Sequence, residues 1–306
     1  MNKLSLGKIA VVGAGAVGGY YGGMLAHIGH DVHFLMRSDL ASVRERGLTI
    51  HTGERTVRVP AKACGAPEEI GPCDLVLIAL KATSNAALDA LLPPLLGGKT
   101  ALVTLQNGLG NEEHLAQRWG AERVMGALCF VCLNRTAPGE VMHIDHGTIS
   151  IGEFRRPASE RVRALVGAFV AAGIEAKAVD DLVEERWRKL VWNVPFNGLA
   201  IAAGGATVAD VLADAALRAE ARALMSDVLD GARALGHHIA DEFADFQIER
   251  SLSMGAYKPS SMIDWQAGRP VEVEAIWGEA LRQGRAAGAA MPRLALLHAL
   301  LRRLTR

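Results

Sequence analysis

Neither sign of charge is in excess in this 306-residue chain: 33 lysines and arginines face 33 aspartates and glutamates. A neutral chain builds no global field for nucleic acid or an anionic membrane surface, so neither partner is expected. Long apolar runs are missing as well. Glycine or charge breaks each one well short of the about 20 residues that a membrane-spanning helix needs. Lys3 and the apolar residues near it resemble a secretory leader superficially, but the dense glycines and the immediate strand-like onset argue against one. Cysteine is scarce. Four in a chain of this length make no disulfide framework. Cys129 and Cys132, three apart on an expected strand, point to opposite faces and form a poor metal clamp and a poor dithiol. Buried free thiols in a reducing cytoplasm are the expectation. Pro/Gly/Ser linkers and internal repeats are absent too. The densest histidine cluster, His143-Ile144-Asp145-His146, offers no third or fourth ligand, so no metal is expected.

What the chain does have is apolar content. Half of its residues are hydrophobic and 22% are charged, a mix that fills cores and excludes disorder. At about 150 residues per domain, the length suggests two. The first half alternates strand-like and helix-like runs. Lys8–Gly13 reads as a buried strand, a glycine-rich turn and a helix to about Ile28 follow, and Asp31–Arg37 reads as the second strand. Further strands are expected at 48–52, 55–60, 74–80, 100–106, 124–133, 141–144, 148–151 and 174–179. The runs at 74–80 and 100–106 are apolar on both alternating faces, as in central strands of a parallel sheet covered by helices. After about Asp180 strand signals fade. Val208–Leu235 and Val271–Ala287 show helical spacing, and Pro292 opens a last helix through Leu304 with Arg302 and Arg303 in its final turn. The expected architecture is α/β: a Rossmann-type, doubly wound domain over 1–180 and an all-helical domain over 181–306, with a cleft between them.

The strongest motif is Gly13-Ala14-Gly15-Ala16-Val17-Gly18, set between an expected strand and an expected helix. Gly13 permits the tight turn, Gly15 lets backbone approach a pyrophosphate, and Gly18 lets helix and strand pack closely. Helix-terminal N–H groups would receive the phosphates. An NAD site usually has an acid at the end of the second strand, about 20 residues on. Here Arg37 stands at that place, and a guanidinium suits a 2′-phosphate. This points to NADPH, though Asp39 nearby keeps NADH open. A second feature is Lys189, Asn193 and Asn197, spaced i, i+4, i+8 on one face of an otherwise apolar helix that Pro195 bends. Polar groups so placed would be costly to bury without partners, so the row reads either as substrate-facing or as a polar network closing a domain interface.

Together with Lys81 after the 74–80 strand, Gln106-Asn107-Gly108 after the next, Lys258-Pro259-Ser260-Ser261-Met262-Ile263-Asp264, Ala267-Gly268-Arg269-Pro270 and Glu272, these motifs make the chain resemble the ketopantoate reductase family over nearly its whole length. The resemblance implies NADPH-dependent reduction of a 2-oxo acid to a 2-hydroxy acid on the way to pantothenate and coenzyme A. It also implies Lys189 as general acid, Glu272 as the carboxylate working with it, and Asn193, Asn197 and Ser260 as the substrate set. Lys81 and Asn107 resemble residues lining both the cofactor and substrate sides. A lysine, with an ordinary pKa of about 10.4, carries its proton at neutral pH and suits the acid role. The chain departs from the family in two places. Tandem Ser260-Ser261 leaves open which serine faces the substrate, and Ala82-Thr83-Ser84-Asn85 is small and polar where relatives often carry bulk. Another 2-oxo acid as substrate and a non-catalytic NADP(H)-binding sensor are the alternative readings. The oligomeric state is not fixed by the sequence, and a homodimer is left open.

Overall fold

The computed structural model describes residues 6–53 and 55–306, with backbone alone at 145 and 146; Lys3 and the side chain of His146 lie outside what is described. The chain divides into two compact units. The first takes in the chain up to Gln106 together with Asn111–Leu182, and the second takes in Asn107–Gly110 with Val183–Arg306.

The first unit is a sheet of ten strands among the described residues: β1 (Lys8–Val12), β2 (Asp31–Leu35), β3 (Leu48–Thr52), β4 (Arg55–Val59), β5 (Lys62–Cys64), β6 (Cys73–Ile78), β7 (Leu96–Thr104), β8 (Val124–Ala137), β9 (Glu140–Glu153) and β10 (Ala176–Ala178). Its parallel part runs β5-β2-β1-β6-β7-β8, the order of a dinucleotide-binding sheet. Alternate residues of the central strands feed two separate cores. Ile9, Val11, Leu75, Leu77 and Val103 pack on the face covered by α1 (Ala16–His27) and, further along the chain, the 160–171 helix. Ala10, Val12, Val76, Ile78 and Leu102 pack on the other face, with Leu88, Leu95 and Leu115. Burial on both faces is what a doubly wound sheet requires. The remaining helices of this unit are α2 (Leu40–Arg46), α3 (Leu88–Leu91), α4 (Asn111–Trp119) and α5 (Glu160–Ala171).

Several strands differ from their expected form. The runs at 141–144 and 148–151 are one long strand, β9, because antiparallel pairing with β8 continues through Asp145 and His146 and, between the two runs, skips only Gly147. The short β5 has too few residues to show a period, and only its pairing with β2 defines it. The ladder of β8 also slips between Phe130 and Val131. The extra residue lies on β9, so β8 keeps its alternation there; Cys129 and Cys132 are half-buried, and none of the four cysteines is in a disulfide.

The second unit is helical: α6 (Leu182–Ala202, its first residue still in the first unit), α7 (Val208–Ala213), α8 (Ala215–Ala234), α9 (Glu242–Ser251), α10 (Ser260–Gln266), α11 (Glu279–Ala286) and α12 (Pro292–Leu304). The single helical run expected over 208–235 is two helices. Thr207 and Asp210 form a capping box on α7, and the extended Asp214 then accepts from the N–H groups of Ala216 and Leu217 to start α8. Trp187, Phe196, Met225, Trp277 and Leu294 centre the core. Full burial of a side chain such as Phe196 contributes about 1.5–3 kcal/mol. The N-cap of α12 is Met291, which has no capping side chain; Asp227 Oδ2 of α8 instead accepts from Leu294 N–H at 2.8 Å. Burial pushes the Asp227 carboxyl up, against the pull of the Leu294 and Arg293 N–H groups. Among the described residues no helix is long and apolar enough to cross a membrane.

Candidate active site

The glycine turn closes β1 onto α1 as the motif requires. Gly13 has φ +96°, and a methyl on Gly18 would stand 2.3 Å from the Gly13 carbonyl oxygen and 2.9 Å from Val11. Both positions are closed to larger residues. Above Gly15 the space is open, and Gly15, as the N-cap of α1, brings no capping side chain. Ala14, Ala16 and Val17 pack their partly buried side chains onto the sheet core. Arg37 is exposed two residues beyond the end of β2. Asp39, the acid that kept NADH open, is buried and committed to structure. Its Oδ1 accepts from Ser38 Oγ at 2.8 Å and pairs with Arg135 at 3.0 Å, while its Oδ2 accepts from Gly139 N–H. The acid ties the β8–β9 turn down.

Lys81 follows β6 as the exposed N-cap of a 3₁₀ turn over Ala82–Ala87. That turn carries a feature the sequence did not announce. Asn85 Nδ2 donates to Asn111 Oδ1 at 2.9 Å, and Asn85 Oδ1 accepts from Gln106 Nε2 at 2.7 Å. Thr104 Oγ donates to Gln106 Oε1 at 2.9 Å. Gln106 and Asn111 are the two residues at which the chain leaves and re-enters the first unit. One amide therefore holds both ends of the 107–110 excursion. The small polar stretch after Lys81 has this use.

In the second unit Lys189 and Asn107 come together, 82 residues apart in sequence. The half-buried Lys189 Nζ donates to Asn107 Oδ1 at 2.8 Å. The row continues along α6 with Asn193, 8% exposed, and Asn197, 2% exposed. Asn197 Oδ1 accepts from Ser261 N–H at 3.0 Å and so caps α10, whose own N-cap is Pro259. Of the tandem serines, Ser260 is exposed and Ser261 is buried. Glu272 is buried, 5% exposed, just ahead of a π-turn over Glu274–Gly278 that runs on into α11. Pro195 lies inside α6 and removes one helix hydrogen bond. Beside it the Trp277 indole N–H donates to the Val194 carbonyl at 2.9 Å. Gly198 leaves room for that ring, since a methyl there would stand 2.9 Å from the indole nitrogen. Neither the π-turn nor Trp277 could be found from spacing. His143, from the histidine cluster, stacks on Tyr20 with centroids 4.8 Å apart and bonds Thr52 Oγ through Nδ1 at 2.9 Å.

A family model described as ketopantoate reductase PanE/ApbA matches residues 9–156, and one described as the C-terminal part of ketopantoate reductase PanE/ApbA matches 181–305. A 2-dehydropantoate 2-reductase from Nostoc sp. is 36% identical over 297 residues, covering 95% of this chain and 93% of its own. The crystal structure of 2-dehydropantoate 2-reductase from Geobacter metallireducens GS-15 superposes with a TM-score of 0.94 at 44% identity, covering 97% of this chain and 99% of that one. The ternary structure of D-mandelate dehydrogenase with NADH and anilino(oxo)acetate shares the fold, with a TM-score of 0.85 at 21% identity and coverage of 97% and 98%.

Proposed function

From the premise that this chain belongs to the ketopantoate reductase family and is an oxidoreductase, we propose that it reduces 2-dehydropantoate to pantoate with NADPH, with Lys189 as proton donor. The observation that carries this reading is the lysine's setting. A half-buried ammonium is held at 2.8 Å by a neutral amide, with two buried asparagines one and two turns further along the same helix. The glycine turn fits a dinucleotide pyrophosphate, because open space lies above Gly15 and this N-cap of α1 brings no capping side chain of its own. Arg37 is the candidate reader of the 2′-phosphate, supported by the commitment of Asp39 elsewhere. A reduced nicotinamide held at the glycine turn would supply hydride to the carbonyl carbon of the 2-oxo acid.

The remaining roles belong to the chain. Negative charge grows on the carbonyl oxygen during reduction, and the Lys189 ammonium both stabilises it and gives up one proton to it. Asn107 accepts one N–H of Nζ and so orients the other two, one of which would be delivered. Glu272 is assigned to keep the ammonium charged and in place. Asn193, Asn197 through its amide nitrogen, and Ser260 are assigned to the substrate's carboxylate and hydroxyl, with Lys81 on the cofactor and substrate side. Neutral donors of this kind hold a small acid without a second buried charge. Four cysteines outside any disulfide suit a reducing, cytoplasmic compartment, and the product would feed pantothenate and coenzyme A synthesis.

The test is NADPH oxidation with ketopantoate beside simpler 2-oxo acids, on wild type and Lys189→Ala. Ketopantoate is expected to be turned over best. The variant should keep its melting temperature and NADPH affinity while turnover falls by about 10²–10⁴, the range for a positioned acid. A variant that turns over near the wild-type rate ends the proposal, and a better simpler acid moves it to another substrate.

A further inference from the structure

Two groups of the π-turn Glu274–Gly278 reach the elements that carry the proton-donating pair. The Ala275 carbonyl accepts from Leu109 N–H at 2.9 Å, within the four-residue segment that begins with Asn107. The Trp277 indole donates to the Val194 carbonyl, between Asn193 and Asn197 on α6. Glu272 stands two residues before the turn. A π-turn widens the helix by one residue and breaks its regular bond ladder, a costly arrangement that recurs at functional sites. Here it coincides with two contacts to separate elements of the same unit. The fit of the first contact is tight. A methyl on Gly108 would lie 2.1 Å from the Ala275 oxygen and 2.4 Å from its carbonyl carbon, both backbone atoms that have no side-chain freedom to yield.

Resting on the reading of Lys189 as proton donor, we propose that this π-turn is the positioning element of the site: its Ala275 carbonyl, seated on Gly108, sets where Asn107 meets Lys189, and its Trp277 indole sets the proline-bent stretch of the lysine's helix. Gly108 and Trp277 are then positioning residues. They touch neither substrate nor cofactor and act through Asn107 and α6.

The 107–110 segment supplies its own control. Gly108 and Gly110 have nearly the same φ, +84° and +86°. The three atoms nearest to a methyl on Gly110 all belong to the Glu279 side chain, the first at 3.2 Å. Gly108→Ala and Gly110→Ala therefore both place an alanine at a left-handed φ, and only the first drives it into the backbone of the π-turn. For Gly108→Ala the expected result is a kcat about 100-fold lower, the scale of an ångström of misplacement. The KM for ketopantoate should change little, and the high-pH fall-off of kcat should begin at lower pH, because Nζ loses an acceptor that favours its charged form. Gly110→Ala should keep kcat within about twofold at a similar melting temperature, as a change away from the reacting geometry does. Trp277→Phe, which keeps a ring but loses the indole donor, should also lower kcat more than it raises KM. Equal kcat in the two alanine variants, or a Gly108→Ala change confined to melting temperature, overturns the inference. Lys189→Ala on the same preparations separates the two levels: if it loses turnover while Gly108→Ala keeps it, only the inference fails, and if it keeps turnover, the underlying reading fails.

Discussion

At the scale of single residues, chemistry is divided between groups that look alike in sequence. Arg37 and Asp39 stand two apart, and either could greet a ribose. The structure uses up both carboxylate oxygens of Asp39 on Ser38, Arg135 and Gly139, while Arg37 stays exposed. Arg37→Ala should therefore weaken NADPH far more than NADH, by about 1.5–3 kcal/mol, the range for a charge-assisted hydrogen bond. Titrating both cofactors by fluorescence checks this; equal losses would remove Arg37 as the 2′-phosphate reader. Ser260 and Ser261 divide in the same way, one exposed and one buried with its N–H on Asn197.

At the scale of elements, junctions matter more than the elements themselves. The end of β9 is fixed by Glu153, fully buried, which pairs with Arg161 at 2.6 Å and Arg156 at 2.8 Å and accepts from Ser159, the N-cap of α5. Burial alone would raise this carboxyl. The hydrogen bonds from Arg161, Ser159 and Arg156 outweigh it, and the group sits below the usual carboxylate range. A carboxyl depressed in the folded state adds stability above its unfolded pKa of about 4.3, and that stability is lost as pH falls through the folded value. Glu153→Gln should cost about 1–3 kcal/mol at pH 7, the scale of disturbed hydrogen bonds to charged groups. The gap to wild type should close on acidification below about pH 4. Urea midpoints at pH 7 and pH 3.5 measure it, and a gap that persists unchanged assigns the loss to packing instead.

For the whole molecule, ligand and fold are linked by mass action. A dinucleotide that binds only the folded chain stabilises it by RT ln(1 + [L]/Kd), about 2.7 kcal/mol at a hundredfold excess over Kd. NADPH should therefore raise the melting temperature more than equimolar NADH, and Arg37→Ala should erase the difference. Scanning calorimetry with each cofactor reads this directly. An equal rise in wild type would place the protein with neither cofactor preferentially and would remove the preference proposed for Arg37.

Local rules carried much of this protein by themselves. The glycine turn between β1 and α1, the two-sided apolar runs of β6 and β7, and the Pro292 start of α12 are legible because each depends on neighbours within a few residues. The Lys189, Asn193 and Asn197 row is legible for the same reason, since helical spacing alone aligns it. What only the tertiary structure decided are the matters of partnership. Asp214 divides one helical run into two by accepting from the backbone N–H groups of Ala216 and Leu217, a choice that competes with continuing the helix and that packing resolves. Continuous pairing with β8 makes one strand of β9, and β5 exists only through β2. Asn107 meets Lys189, and Asn85 spans Gln106 and Asn111, across gaps of 82, 21 and 26 residues. The π-turn gives no local sign, because its geometry is held by the contacts that Ala275 and Trp277 make with distant segments. Contacts of that kind are chosen by the folded core as a whole, and no window of sequence contains both partners.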